Sequence, residues 1–129
     1  MLDRRLQEIE LLRKKYGLLE HGANLEWILF KEFSLPPGWN RTTTPLLVLI
    51  PSGYPMIPPD NFYVPISFRL ASGAMPSNYN EGHSHLGQRW GQFSFHVQKE
   101  HWSPKSDILE GDNLLTFMLG VERRLSEVN

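Results

Sequence analysis

Apolar residues at Leu2, Leu6, Ile9, Leu12 and Tyr16 recur in steps of three or four, the period that lines one face of an α-helix. Asp3 in the first turn and Arg13, Lys14 and Lys15 in the last suit the helix dipole, and Gly17 can supply the C-terminal cap. Residues 25–33, LEWILFKEF, alternate instead: Trp27, Leu29 and Lys31 fall on one side of a strand and Ile28, Phe30 and Glu32 on the other. After the break SLPPGWN, the run PLLVLIP is apolar on both faces and closed by proline at each end, which predicts a central strand. The proline-dense turn PSGYPMIPP leads into NFYVPI, a short aromatic strand ended by Pro65, which has no amide to give a ladder. Between Ser67 and Gly91 periodicity fades and Gly, Ser, Asn and His accumulate, so a long functional loop is expected there. Leu114, Phe117, Met118, Val121 and Leu125 then return to helical spacing. The order predicts an α+β fold with an antiparallel meander sheet, a long loop near the chemistry and a helix at each end.

Composition narrows the function. At 129 residues one domain spanning 1–129 is expected, and 40% hydrophobic with 21% charged residues is the balance of a folding chain. Thirteen Lys and Arg against fourteen Asp and Glu leave a net charge of −1, so no field draws the protein to nucleic acid or to an anionic membrane. No apolar run reaches the length of a membrane span, and MLDRRLQEIE lacks the apolar middle of a signal peptide, which points to the cytoplasm. The absence of cysteine excludes disulfides, thiolate metal sites and a cysteine nucleophile.

Two short motifs carry more. Tyr54-Pro55-x-x-Pro58-Pro59 stands directly before a strand, and His101-Trp102-Ser103-Pro104 stands before the last helix. With this element order, the chain resembles the ubiquitin-conjugating (UBC) fold. The landmarks LPPGWN, PSGYPMIPPDNFYV, RLASG, RWGQFSFH and HWSP are similar to those of a prokaryotic, cysteine-less branch of that family. In familiar members the catalytic cysteine precedes the tryptophan of the second motif by eight residues, and here that position is Ser94, within Gly91-Gln92-Phe93-Ser94-Phe95-His96-Val97. The His-Pro-Asn tripeptide of those enzymes is absent; Asn78, Asn80, His83 and His85 crowd the corresponding loop. The resemblance implies a bacterial ubiquitin-like conjugation system, with an activating enzyme and a ubiquitin-like protein as partners. Operons of similar proteins suggest antiphage defence as the setting.

A serine hydroxyl accepts an acyl group only when a neighbouring base takes its proton. If Phe93 to Val97 is extended, Ser94 and His96 project to one side with Cβ atoms roughly 6–7 Å apart, while Phe93, Phe95 and Val97 alternate onto a buried face. Histidine exchanges its proton near cytosolic pH, which suits the role of base. The developing oxyanion needs preorganised donors, and His83, His85, Asn78, Asn80 and Arg89 are the candidates. Position 94 could equally be a lost nucleophile, with His96 a surface residue.

Other patterns give less. His83, His85, His96 and His101 lack zinc-like spacing, so no metal site is expected, and no glycine-rich phosphate loop implies a cofactor. Gly91-Gln92-Phe93-Ser94-Phe95 lacks the glycine that follows the nucleophile in a hydrolase elbow. Trp27, Trp39 and Trp102 read as anchors of core and loops, whereas Trp90 beside Gly91 can hold a partner's tail. Around the first helix, Arg4, Arg5, Gln7, Glu8, Arg13, Lys14 and Lys15 form a solvated face, which the resemblance makes a contact for the activating enzyme. Partner contacts are accordingly expected at Arg4, Arg5, Tyr54, Pro58, Trp90 and Trp102. Two functions fit: a carrier that accepts a ubiquitin-like carboxyl as an oxyester on Ser94 for transfer to a target, or a non-catalytic module that binds such a protein or its enzyme.

Overall fold

The computed structural model describes residues 2–129, with side chains from Arg4 onward; the Leu2 and Asp3 side chains, expected in the apolar stripe and the first turn, lie outside the described residues. Helix α1 covers Leu2–Tyr16, and Gly17, at φ 78°, donates its amide to the Arg13 carbonyl as the cap. Six strands follow: β1 Leu19–His21, β2 Trp27–Ser34, β3 Thr43–Leu49, β4 Phe62–Pro65, β5 Tyr79–His85 and β6 Gln88–Phe93. They form one antiparallel sheet in the order β1-β2-β3-β4-β6-β5. Helix α2, Leu114–Ser126, closes the fold. No described helix is long and apolar enough to cross a membrane.

Both helices bury their apolar faces on one side of this sheet. Ile9 and Leu12 of α1 and Leu114, Phe117, Met118, Val121 and Leu125 of α2 join Ile28, Phe30, Leu46, Val48, Phe62, Val64 and Phe93 in the main core. The opposite sheet face carries a smaller cluster of Leu47, Tyr63 and Trp90, flanked by Trp27, Leu29 and Leu49. The strand alternation read from residues 25–33 holds from Trp27 to Phe30; an irregularity between Phe30 and Phe33 then leaves Lys31 and Glu32 both exposed and returns Phe33 to the core, while β3 is apolar on both faces because both are covered.

The sequence pattern fails in two places. Residues 67–91, expected as an irregular loop, contain β5 and most of β6, a hairpin joined by the two-residue turn Leu86-Gly87 with φ of 54° and 76°. Positive φ at both turn positions suits the twist of a hairpin, yet Leu86 is not a residue that announces it. The strand YNEGHSH alternates only between half-buried and exposed positions at the sheet edge, so no apolar period betrays it. Packing also depends on Gly91, where a Cβ would lie 2.0 Å from the Tyr79 hydroxyl; the bare backbone lets that ring lie across the strand.

The second failure concerns α1. Leu6 is 46% exposed, whereas Arg5 and Glu8, expected on the solvated face, are buried. Glu8 is fully enclosed and gathers three donors. Its carboxylate accepts from the Leu114 amide at 2.6 Å, at the start of α2, from Arg4 Nε at 2.7 Å, and from the Tyr54 hydroxyl. Arg4 also donates to the Lys105 and Asp112 carbonyls, and Arg5 to those of Leu25 and Pro51. Trp102 Nε1 donates to the Pro55 carbonyl at 2.7 Å, tying the second motif to the proline turn. Asn113 caps α2, accepting from the Thr116 amide while the Thr116 hydroxyl accepts from the Asn113 amide.

Removing one member of a buried, hydrogen-bonded charge cluster leaves the others unpaired and typically costs about 3–5 kcal/mol. Glu8→Ala is expected to lose stability of that order, read as a lower urea midpoint at an unchanged denaturant slope.

Candidate functional site

The segment after β6 is held open by alternation. Phe93 is fully buried and stacks on Phe62 at 4.9 Å between ring centroids. Phe95 packs edge-on against Phe62 and Phe117, and Val97 is half-buried against the same core. Gly120 of α2 makes room for Phe95, since a Cβ there would stand 2.8 Å from its ring. Ser94 and His96, between these anchors, are exposed. The Ser94 amide donates to the Asn78 carbonyl at 2.8 Å.

Two residues that sequence reasoning missed fix this segment from the side. Asn61 donates its amide to the Phe95 carbonyl at 2.7 Å and accepts the Phe95 amide on its side-chain oxygen at 3.0 Å. Its φ of 65° lies in the left-handed region that asparagine tolerates better than most residues. Asp60 places Oδ1 2.5 Å from His96 Nδ1. The pairing of Phe62 with Phe93 in the antiparallel register puts residues 60 and 61 beside residues 94–96. The sequence signal was the acidic and amide pair directly after Pro58-Pro59, but only the β4–β6 pairing gives it meaning. A cavity of about 450 Å³ beside the segment is lined by Phe95, His96, His101, Trp102, Phe117 and Arg123 among others.

His83 and His85 are placed elsewhere. They stand opposite Trp90 and Gln88, so His83 is four residues up the strand from the level of Ser94, about 13 Å at the rise of a β-strand. Their rings turn onto Tyr63, at 5.9 and 4.6 Å between centroids, and lie parallel to one another at 6.5 Å. Burial, with His83 nearby, holds the His85 pKa below the ordinary histidine value, so its neutral form is favoured in the fold. Asn80 accepts from the Gly82 amide and Arg89 donates to the Glu81 carbonyl. Among the candidate oxyanion stabilisers, Asn78 is hydrogen-bonded to Ser94, through a carbonyl that accepts rather than donates. Among the described residues, no group of three or more His, Asp or Glu side chains converges to hold a metal ion.

The residues expected to contact partners lie mostly inside the fold. Arg5, Tyr54, Pro58, Trp90 and Trp102 are buried, and Arg4 is spent on Glu8 and two carbonyls. Each large ring removes apolar area from water and satisfies its polar atom internally: Tyr54 on Glu8, Trp90 on the His85 carbonyl at 2.9 Å, Trp102 on the Pro55 carbonyl. These residues build the scaffold, and Trp102 also lines the cavity beside α2.

Residues 6–128 match the family model described as prokaryotic E2 family E. The chain belongs to that family. Its helix, antiparallel sheet and closing helix are a UBC-like α+β fold, and the lack of cysteine sets this E2-like chain apart from cysteine-bearing conjugating enzymes. Neither the curated proteins nor the solved structures returned a significant match.

Because the unfolded chain binds a proton on His85 more readily than the folded one does, stability is present above the ordinary histidine range and is lost as pH falls through it. Urea midpoints at pH 7.5 and pH 5.5 are expected to differ in the wild type, and His85→Phe is expected to narrow that difference.

Proposed function

We propose that this E2-like chain is an acyl carrier in a bacterial ubiquitin-like conjugation system, working in the cytoplasm beside an activating enzyme and a ubiquitin-like protein. The activating enzyme performs the nucleotide chemistry and presents an activated C-terminal carbonyl. Ser94 Oγ attacks that carbonyl, its proton passes to His96, and the bond to the activating group breaks as the oxyester forms. In the second step a target amine attacks the ester, and the departing Ser94 oxygen takes a proton back.

The observation that supports this reading is the exposure of Ser94 and His96 on one short segment whose alternate residues, Phe93, Phe95 and Val97, are anchored in the core. A nucleophile so held has little freedom to lose when it meets its substrate. A second reading, the non-catalytic module, draws on the fact that the His96 ring is bound to Asp60 rather than to Ser94.

Mixing the protein with its cognate activating enzyme, ubiquitin-like protein and ATP separates the two. An adduct that hydroxylamine removes, that thiols leave intact and that Ser94→Ala abolishes is the expected result. An adduct that persists in Ser94→Ala but disappears on lysine-to-arginine replacement defeats the oxyester, and measurable binding without any adduct identifies the module.

A further inference from the structure

Resting on the acyl-carrier reading, we propose that Asp60 is a positioning residue that fixes the tautomer and ring orientation of His96, leaving Nε2 as the nitrogen that receives the Ser94 proton. The contact between Asp60 Oδ1 and His96 Nδ1 is 2.5 Å long, yet both side chains are close to two-thirds exposed, at 63% and 65%. Ion pairs so open to water contribute little to stability, so the fold has no need of this one. Its effect is chemical. A carboxylate accepts and cannot donate, so Nδ1 must carry the hydrogen, and in the neutral ring that leaves the lone pair on Nε2. A free imidazole has no such constraint.

The backbone makes the contact specific. Pro58 and Pro59 fix the chain just ahead of Asp60, and the following residue, Asn61, takes both polar backbone groups of Phe95. The dipeptide Asp60-Asn61 therefore holds the tripeptide Ser94-Phe95-His96 at its centre and at its histidine. When Ser94 Oγ bonds to the acyl carbon and the leaving group departs, the Ser94 proton moves to Nε2. The imidazolium so formed keeps its Nδ1 hydrogen on Asp60, whose negative charge stabilises it, and it releases the new proton to the leaving group. Around His96, the residues His101, Asp112 and Arg123 line the same cavity; only Asp60 is hydrogen-bonded to the ring among the described residues.

Nitrogen-15 NMR of the His96 ring near neutral pH tests the placement without any partner. The wild type is expected to show hydrogen on Nδ1, and Asp60→Asn to shift the ring toward hydrogen on Nε2. In single-turnover assays with charged activating enzyme, Asp60→Asn is expected to slow Ser94 adduct formation by about 10-fold or more, part of the 10²–10⁴ that a positioned base supplies. Asp60→Glu is expected to restore part of the rate, with binding of the activating enzyme unchanged in both variants. A wild-type ring with hydrogen on Nε2, or an adduct rate indifferent to Asp60→Asn, overturns the proposal. If no Ser94 adduct forms but the Nδ1 tautomer depends on Asp60, the acyl-carrier reading fails while the placement of His96 stands.

Discussion

A single enclosed carboxylate, that of Glu8, joins the three parts of the chain that the site depends on. It accepts from the first amide of α2, from the tyrosine of the proline turn and from Arg4 on its own helix. An amide at a helix start has no partner within the helix, so a carboxylate there satisfies an orphan donor and meets the positive end of the dipole. Burial and the adjacent Glu8 charge push the Tyr54 pKa upward, keeping its hydroxyl a donor. The favourable geometry offsets the desolvation of a charge that would be costly alone.

From this hub the geometry passes outward. Tyr54 sets the near end of the proline turn, and the Pro55 carbonyl receives Trp102, so the chain leaving the site is tied to the chain that leads toward Asp60. At the far end of the turn, Asn61 binds Phe95 on both polar groups. Phe95 is pressed between Phe62, Phe117 and the bare backbone at Gly120. The segment bearing Ser94 and His96 thus lacks sheet pairing on much of its length and is nevertheless fixed. Rigid support beneath an exposed polar pair is what a positioned reactive group requires.

The motif residues are part of the scaffold. Tyr54, Pro58 and Trp102, which carry the resemblance in sequence, are buried. Arg4 and Arg5 look like a basic docking face in one dimension, because a helical period assigns charged residues to water by default. Their carbonyl acceptors come from residues far along the chain, among them Pro51, Lys105 and Asp112. No local pattern could reveal those partners. Likewise the β5–β6 hairpin hid in a polar stretch, since an edge strand exposed on alternate positions needs no apolar side chains to pair through its backbone.

The sequence by itself determined what short-range periodicity and steric rules determine: two amphipathic helices, the alternation of β2 as far as Phe30, doubly buried β3, the proline turn, and the solvent-facing Ser94 and His96 between apolar neighbours. Those features depend on residues within a few positions of one another, where side-chain direction follows from backbone repeat. Tertiary structure alone decided that Glu8 is interior, that His83 and His85 face Tyr63, and that Asp60 rather than Ser94 holds His96. Each of these contacts joins residues separated by roughly twenty to a hundred positions, and only the pairing order of the strands and the packing of helices on the sheet bring such residues together.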